Sequence, residues 1–159
     1  MRFLGIDPGY ALIGFGVVEK NKSAYLPIEY GVIRTSSALP IQNRLHLIYK
    51  QILALTRRIR PDAIGVEKLF FAKNTKTAMD VSQARGVILL AVYQSNALIY
   101  EYTPLQVKQS ITGYGQATKE QMQKMVKTLL SLSSIPKPDD AADALAIALC
   151  TAQIWRPKR

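Results

Sequence analysis

Apolar residues recur along this chain with two different spacings, and the changes of spacing predict the order of its strands and helices. Short apolar runs bounded by turn residues predict five strands, at residues 1–6, 12–19, 25–35, 63–67 and 98–102. Stretches with apolar residues every three or four positions predict helices at residues 41–60, 77–96, 104–111, 118–130 and 139–154. Three strands in succession, followed by helices that alternate with strands, are typical of a mixed α/β sheet.

The connections between these elements predict how the sheet is arranged. The residues Asn21-Lys22-Ser23 form a hairpin turn, so the first three strands should make an antiparallel meander. The two later strands are each reached through a helix and should join as parallel strands. We therefore expect an α/β fold with a five-stranded mixed sheet, three antiparallel strands plus two parallel ones, flanked by helices. At 159 residues, we expect one domain over residues 1–159, in which residues 156–159 form a flexible basic tail.

Four carboxylates stand at the ends of apolar segments. Asp7 and Glu67 end the first and fourth strands, whereas Asp140 and Asp143 open the last helix. The carboxyl ends of parallel strands meet at one edge of a sheet, and residues three apart share a helix face. If the first and fourth strands are neighbours, all four acids gather at one edge. Hard divalent cations prefer such oxygen ligands, so this pattern favours a metal site.

The charge of the chain indicates the kind of partner. Lys and Arg number 21 against 11 Asp and Glu, which gives a net charge of +10 and favours nucleic acid over an anionic membrane. No apolar stretch approaches the roughly 20 residues of a membrane span, and no signal peptide is recognisable, so we expect a cytoplasmic protein. A basic exterior around clustered carboxylates favours a metal-dependent nuclease.

Five motifs resemble one known family. In chain order they are Leu4-Gly5-Ile6-Asp7-Pro8-Gly9, Val66-Glu67-Lys68-Leu69-Phe70-Phe71-Ala72-Lys73-Asn74, Gln83-Ala84-Arg85-Gly86, Gln106-Val107-Lys108-Gln109 and Asp140-Ala141-Ala142-Asp143-Ala144-Leu145-Ala146-Ile147-Ala148. The first motif alone is weak, since other nucleases and phosphotransferases share it. All five, in this order over almost the whole chain, resemble the RuvC-type Holliday junction resolvases.

This resemblance implies an RNase H-like fold, a homodimer and paired symmetric cleavage of four-way DNA junctions during recombination and repair, alongside a branch-migration complex. It implies Mg²⁺ as cofactor, with two ions per site and Mn²⁺ as a substitute. The four metal-binding and catalytic acids of the family fall on Asp7, Glu67, Asp140 and Asp143. Our hypothesis is that Asp7 bridges both ions while the other three acids complete their ligand shells.

The resemblance also implies contacts with DNA. Lys108 and Lys119 correspond to lysines near the scissile phosphate and the DNA path, and Phe70 to an aromatic residue that stacks on an unpaired base. A basic strip adds further contacts. The complete predicted DNA-binding set is Phe70, Lys73, Asn74, Lys76, Arg85, Lys108 and Lys119. The alternative is that these residues are solvated surface, or a core or interface residue in the case of Phe70.

The long second helix carries an unbroken apolar run that covers every face, so both of its sides must be covered. We expect one side to pack on the sheet and the other to form a two-fold dimer interface through Val87, Ile88, Leu89 and Leu90. The alternative is complete burial within one protomer.

Other interpretations remain open from sequence. A nuclease of the same fold acting on hybrid or flapped substrates would share the acids, and a non-catalytic junction-binding protein would bind without cutting. A sugar kinase or chaperone-type ATPase would need a second related domain. Asp7 before Pro8-Gly9 is also a common turn residue, and either Asp139 or Asp140 suits a helix N-cap.

Overall fold

The fold is that of a computed structural model, which describes residues 1–69 and 75–156 and, within them, the side chains of all residues except 75–77. The strands are β1 (Arg2–Asp7), β2 (Leu12–Asn21), β3 (Ala24–Arg34), β4 (Ala63–Glu67) and β5 (Leu98–Tyr102). The helices are α1 (Ile41–Ile59), α2 (Thr75–Tyr93), α3 (Pro104–Thr112), α4 (Lys119–Leu129) and α5 (Asp139–Ile154).

The strands form one sheet in the order β3-β2-β1-β4-β5. The pairs β1–β2 and β2–β3 are antiparallel, whereas β1–β4 and β4–β5 are parallel. The predicted five-stranded mixed sheet is therefore confirmed. The parallel register pairs Ile6 of β1 with Val66 of β4. The next residue on each strand is Asp7 or Glu67, so these two acids end neighbouring strands side by side.

Helices cover both faces of the sheet. On one face, Leu4 and Ile6 of β1 share a buried cluster with Ile52 of α1 and Ile88 of α2. Because side chains alternate along a strand, the residues between them face the other side, where α5 packs. Phe3 accordingly contacts Ala152 and the ring of Trp155 beyond the end of α5. Asp7, four residues after Phe3, lies on this same α5 face.

A row of three glycines lets α5 lie directly on the sheet. Gly5 of β1 pairs with Gly16 of β2 on one side and with Gly65 of β4 on the other. A Cβ atom on any of the three would come within 3.0 Å of an α5 atom, in Ala144, Leu145 or Thr151 respectively. The close approach of the alanine-rich helix α5 therefore has its basis in the sheet as well as in the helix.

The starts of two helices, α4 and α5, matter for the site. Thr118 accepts a hydrogen bond from the backbone of Gln121, whose side chain accepts one from the Thr118 backbone. This capping box fixes the start of α4 at Lys119, one residue later than the sequence pattern indicates. At the start of α5, Pro138 is the N-cap and makes no side-chain cap. The interpretation of Asp139 or Asp140 as the N-cap is therefore wrong, because both lie within the first turn.

Candidate active site

Asp7 and Glu67 form the sheet side of the site. Both carboxyl groups are partly buried, and both lie on the α5 face of the sheet. Burial raises the pKa of Glu67 to about 7, with a further contribution from Asp143, while contacts with Asp7 and Lys108 act in the opposite direction. Each acid follows a glycine by two residues, Gly5 before Asp7 and Gly65 before Glu67. The strand alternation that turns the glycines towards α5 therefore also turns the acids towards it.

Asp140 and Asp143 form the helix side of the site. The N-terminal turn of α5 lies over Gly14 of β2, which pairs with Asp7. A Cβ atom on Gly14 would lie 3.2 Å from the Cβ of Asp140 and still closer to the Asp140 backbone. Burial raises the pKa of Asp143, and Lys119 opposes that rise. The helix thus delivers both carboxylates to the edge where the two strands end.

Asp7 is the electrostatic centre of this acidic group. Its pKa is raised well above the ordinary value, first by burial and then by the negative charges of Glu67, Asp143 and Asp140 in that order. Lys119 provides the opposing positive charge. Clustered carboxylates of this kind repel one another unless protons or cations neutralise them. An all-oxygen donor set with excess negative charge fits a hard divalent cation.

The side chains are not yet arranged as a ligand cage. Within the described part of the chain, no three Asp, Glu, His or Cys side chains stand together as ready-made metal ligands. The acids are coupled electrostatically but must rotate to share an ion, as side chains on fixed backbone positions can. The backbone of β1, β4 and α5 therefore fixes where the acids stand, while their carboxylate rotamers can still change.

A cleft of about 250 Å³ opens beside the acids and carries two lysines. Glu67 and Asp143 line it together with Lys108 of α3 and Lys119 of α4. The ammonium of Lys119 lies 3.4 Å from a carboxylate oxygen of Asp143 and 3.4 Å from one of Asp139. The structure thus brings the two predicted lysines to the same cleft as two of the predicted acids. A phosphate that entered this cleft would lie near both carboxylate and ammonium groups.

The remaining predicted DNA-binding residues have different placements. Phe70, Lys73 and Asn74 lie outside the described residues, as does the side chain of Lys76. Arg85 is described, and it faces the protein: its Nε donates to the backbone carbonyl of Glu67 at 3.2 Å, and its guanidinium pairs with Glu101 of β5. The Arg85 side chain is only 19% exposed. Its contacts favour a role in fixing the end of β4 over one in the basic strip.

The predicted dimer-interface residues divide between the two sides of α2. Ile88 is fully buried in the core of the protomer, so its assignment to the interface is wrong. The reason is helical geometry, since four consecutive residues span the whole circumference and one of them must face the sheet. Val87 and Leu89 are half-buried at the flanks of this core. Leu90 is 53% exposed and points away from it.

Asp139 lies just outside the acidic centre. Its carboxylate accepts a hydrogen bond from Lys137 at 3.0 Å and faces Lys119 on its other oxygen. Lys137, then Gln123 and Lys119, lower the pKa of Asp139 to about 2. Asp139 therefore has cationic partners, whereas Asp7 has mainly acidic neighbours.

Sequence reasoning missed the glycines as part of the site. The absence of a side chain at Gly14 leaves room for Asp140, and its absence at Gly5, Gly16 and Gly65 leaves room for the rest of α5. The sequence does contain a signal for them, because each strand-ending acid follows a glycine by two residues and therefore lies on the same face of the sheet.

Arg44 of α1 was also missed. It is buried, its guanidinium carbon lies 3.5 Å from the centre of the Tyr10 ring, and its Nε donates a hydrogen bond to the Thr35 hydroxyl at 2.9 Å. These contacts stabilise the turn after Asp7. In the described part of the chain, no helix is both long and apolar enough to cross a lipid bilayer.

Comparisons with known proteins agree on one family. The family model for crossover junction endodeoxyribonuclease RuvC matches residues 3–151. The crossover junction endodeoxyribonuclease RuvC of Caldicellulosiruptor saccharolyticus is 58% identical over 151 residues, which cover 94% of this chain and 91% of that protein. The Thermus thermophilus RuvC structure matches with a TM-score of 0.87 at 38% identity, covering 96% of this chain and 93% of that one. T. thermophilus RuvC in complex with Holliday junction substrate matches with a TM-score of 0.85 at 36% identity, covering 96% and 92%.

Proposed function

The chain belongs to the RuvC family of crossover junction endodeoxyribonucleases, which have an RNase H-like fold, and from that premise we propose that it resolves four-way DNA junctions in recombination and repair. The reaction is hydrolysis of one phosphodiester bond in each of two symmetry-related strands. The observation that carries the proposal is the meeting of four acids from β1, β4 and α5 beside a cleft lined by two lysines. A relative that matches over 96% of this chain was solved with a Holliday junction substrate.

The family is metal-dependent, and the acids of this chain fit the requirement. Asp7, Glu67, Asp140 and Asp143 would hold the ions, for which Mg²⁺ is our candidate and Mn²⁺ a substitute with the same preference for oxygen ligands. When bound, a pair of such ions activates the attacking water and offsets the charge that develops on the phosphate and the leaving oxygen. Asp7 would be the central ligand of this set, because it is coupled to all three other acids.

The lysines would act on the DNA. A scissile phosphate brought to the acids needs neutralisation, which Lys108 and Lys119 supply as point charges from the wall of the cleft. The net charge of +10 attracts the DNA backbone regardless of sequence. Phe70, Lys73, Asn74, Lys76 and Arg85 remain proposed contacts by resemblance, and for Arg85 the ion pair with Glu101 favours a supporting role.

Two symmetric cuts require two active sites, and α2 offers a surface for a homodimer. An exposed stripe runs along this helix at spacings of three and four residues. It consists of Met79, Gln83, Gly86, Leu90 and Tyr93. Met79 and Tyr93 are 72% and 74% exposed, which is unusual for large apolar side chains. Nothing lies within 4 Å of the position a Cβ would take on Gly86, so a partner helix has room to approach closely there. The stripe supports a two-fold contact through α2.

The partners beyond DNA follow from the same proposal. We propose that the homodimer works alongside a branch-migration complex, which would present the junction to it. The support for this partner is the family resemblance. Because the proposed substrate is DNA, we propose the cytoplasm as its place of action. Residues 1–159 would act as a single nuclease domain, with residues 156–159 as a basic tail.

A substrate panel tests the proposed reaction. A labelled mobile four-way junction, a flap, an RNA–DNA hybrid and a plain duplex are incubated with the protein in Mg²⁺ or in chelator. We expect paired symmetric nicks in the junction alone, and none in chelator. Asp7→Asn should bind the junction normally without cutting it, because the acid coupled to all three others would no longer help to hold the ions.

The panel also separates the alternatives. Preferential cleavage of the hybrid or the flap would move the chain to another activity within the same fold. Junction binding without cutting in any divalent ion would indicate a non-catalytic junction-binding protein. Near-normal cleavage by Asp7→Asn would overturn the assignment of the acids while leaving the substrate class intact.

A further inference from the structure

Lys119 stands between two carboxylates that have different surroundings. Its ammonium is 3.4 Å from Asp139 and 3.4 Å from Asp143. These two acids are four residues apart and therefore lie on one face of α5, a single turn from each other. Asp143 lines the cleft with Glu67, whereas Asp139 is not among the residues that line it. One lysine is thus shared between an acid of the proposed metal site and an acid outside it.

Asp139 is held independently of Lys119. Lys137 donates a hydrogen bond at 3.0 Å to the carboxylate oxygen of Asp139 that does not face Lys119. The buried side chain of Gln123 in α4 also contacts this carboxylate. Both carboxylate oxygens of Asp139 therefore face a lysine, Lys137 on one side and Lys119 on the other. Asp143, in contrast, is partly buried beside other acids, which gives a cation more to neutralise there.

Lys119 itself occupies an unfavourable end of its helix. It is the first residue of α4, where the partial positive charge of the backbone N–H groups repels a cation. The two α5 acids offset that repulsion. If a divalent cation takes the carboxylate of Asp143, the lysine loses one of them and is also repelled by the ion. Its remaining partner is then Asp139.

We propose that Asp139 is a positioning residue, which keeps the ammonium of Lys119 at the edge of the acidic centre when a divalent cation takes the carboxylate of Asp143. Without metal, Lys119 neutralises part of the acidic group. With metal, it gives up its contact with Asp143, keeps the one with Asp139 and remains beside the cleft, where it faces the phosphate of the substrate. The inference rests on the proposed function for the phosphate step, but its first part concerns only metal and protein.

Metal titration of the free protein tests the first part without DNA. Thermal stabilisation is followed as Mg²⁺ is added to metal-free protein at 0.15 M salt, where distant charges are largely screened. In Asp139→Asn, Lys119 keeps its contact with Asp143 and competes more strongly with the ion for that carboxylate. The Mg²⁺ concentration that gives half of the stabilisation, the midpoint, should therefore rise about two- to fivefold, as expected for an exposed ion pair. Asp139→Glu keeps the charge and should behave like the wild type. Glu120→Gln removes a nearby charge that pairs with Lys124, and it should cause no shift.

A double-mutant cycle identifies the route of the effect. If Asp139 acts through Lys119, then Asp139→Asn should not change the midpoint in a Lys119→Gln background. An equal rise in both backgrounds would mean that Asp139 acts on the cation itself, and the proposal would be wrong. If Asp139→Asn changes the midpoint in neither background, Asp139 has no influence on metal binding. That result would also overturn the proposal.

Single-turnover cleavage of the junction at saturating Mg²⁺ tests the second part. Asp139→Asn should cut several-fold more slowly than the wild type although its metal site is full, because Lys119 is then held less well. An unchanged rate would overturn this part. If the chain cut no DNA at all, the proposed function would fail, while the midpoints of the metal titration would still decide whether Asp139 positions Lys119.

Discussion

Gly14 and Asp140 are in contact through their backbones, and this contact sets the distance between the last helix and the sheet at the acidic site. A Cβ on Gly14 would overlap the carbonyl region of Asp140, at less than 3.0 Å. Because Gly14 pairs with Asp7 across β1 and β2, the same contact also brings Asp140 towards Asp7. Backbone contacts of this kind are difficult to relieve by a change of rotamer.

Gly14→Ala should therefore disrupt the site more than the fold. We expect a loss of about 1–3 kcal/mol in the free energy of unfolding from overpacking, with α5 pushed away from β2. Mg²⁺ should then stabilise the variant far less than the wild type, as measured by thermal melts with and without the ion. Gly31→Ala is the matched control, since its Cβ would meet only the ring of Phe15, at 3.2 Å. A normal Mg²⁺ response in Gly14→Ala would contradict the role given to this contact.

The metal-free protein should lose stability as the pH rises. The folded chain keeps protons on Glu67 and Asp7 that the unfolded chain releases near the ordinary carboxyl pKa of 4.5 for Glu and 3.8 for Asp. This contribution is complete below those values and is lost as pH rises through the folded pKa, about 7 for Glu67. For Glu67 alone the loss is at most about 3 kcal/mol.

Denaturant unfolding in chelator, repeated from pH 4 to 8, measures this trend. Mg²⁺ binds the ionised carboxylates, so it should remove the decline and stabilise most at high pH. Asp7→Asn should show a shallower decline in chelator and a smaller gain from Mg²⁺, since it lacks the most strongly coupled acid. Stability in chelator that rises between pH 5 and 7 would show that the acids are not held together as described.

Arg85 and Glu101 should affect the site as a pair. Their ion pair and the bond from Arg85 to the Glu67 carbonyl link α2 to the ends of β4 and β5. Arg85→Gln and Glu101→Gln should each lower the free energy of unfolding by about 1 kcal/mol. The two variants should also show similarly reduced thermal stabilisation by Mg²⁺. Junction affinity in chelator decides between the two roles of Arg85. If Arg85→Gln weakens binding strongly and Glu101→Gln does not, Arg85 contacts DNA directly.

Lys108 should contribute to phosphate binding in proportion to its charge. Lys108→Gln should lower the slope of log affinity against log salt concentration by about 1. Junction cleavage should slow on the order of 10²-fold, because a cation near the scissile phosphate stabilises the transition state. Lys124→Gln is the control: this α4 residue is also basic but pairs with Glu120. Equal salt slopes for the two variants would remove Lys108 from the DNA path.

Leu90→Asp should convert the proposed dimer to monomers. A charge placed in an apolar contact between two copies of α2 is unpaired and desolvated, which costs several kcal/mol. Sedimentation velocity over a range of concentrations measures the change, and junctions should then receive unpaired nicks. Leu105→Asp is the control, since Leu105 is similarly exposed, at 57% against 53% for Leu90, but lies on α3. A monomeric wild type, or a dimer that survives Leu90→Asp, would exclude this interface.

Much of this protein could be read from its sequence. Apolar spacing predicted each of the ten strands and helices found in residues 1–69 and 75–156, because alternation and helical periodicity are local properties of the chain. The position of Asp7 and Glu67 at strand ends, and of Asp140 and Asp143 on one helix face, followed from the same local patterns. The close packing of an alanine-rich last helix was also predictable, since small side chains leave little to separate it from the sheet.

Only the tertiary structure decided the relationships between segments. The register of β1 with β2 and β4 aligns Gly16, Gly5 and Gly65 in one row, and no local pattern fixes a register between distant strands. The burial of Ile88 and the turning of Arg85 towards Glu101 depend on which side of α2 meets the sheet. The contact of Lys119 with both Asp139 and Asp143 depends on how α4 packs against α5. Local sequence determined which residues could serve the site, and long-range packing determined which of them meet.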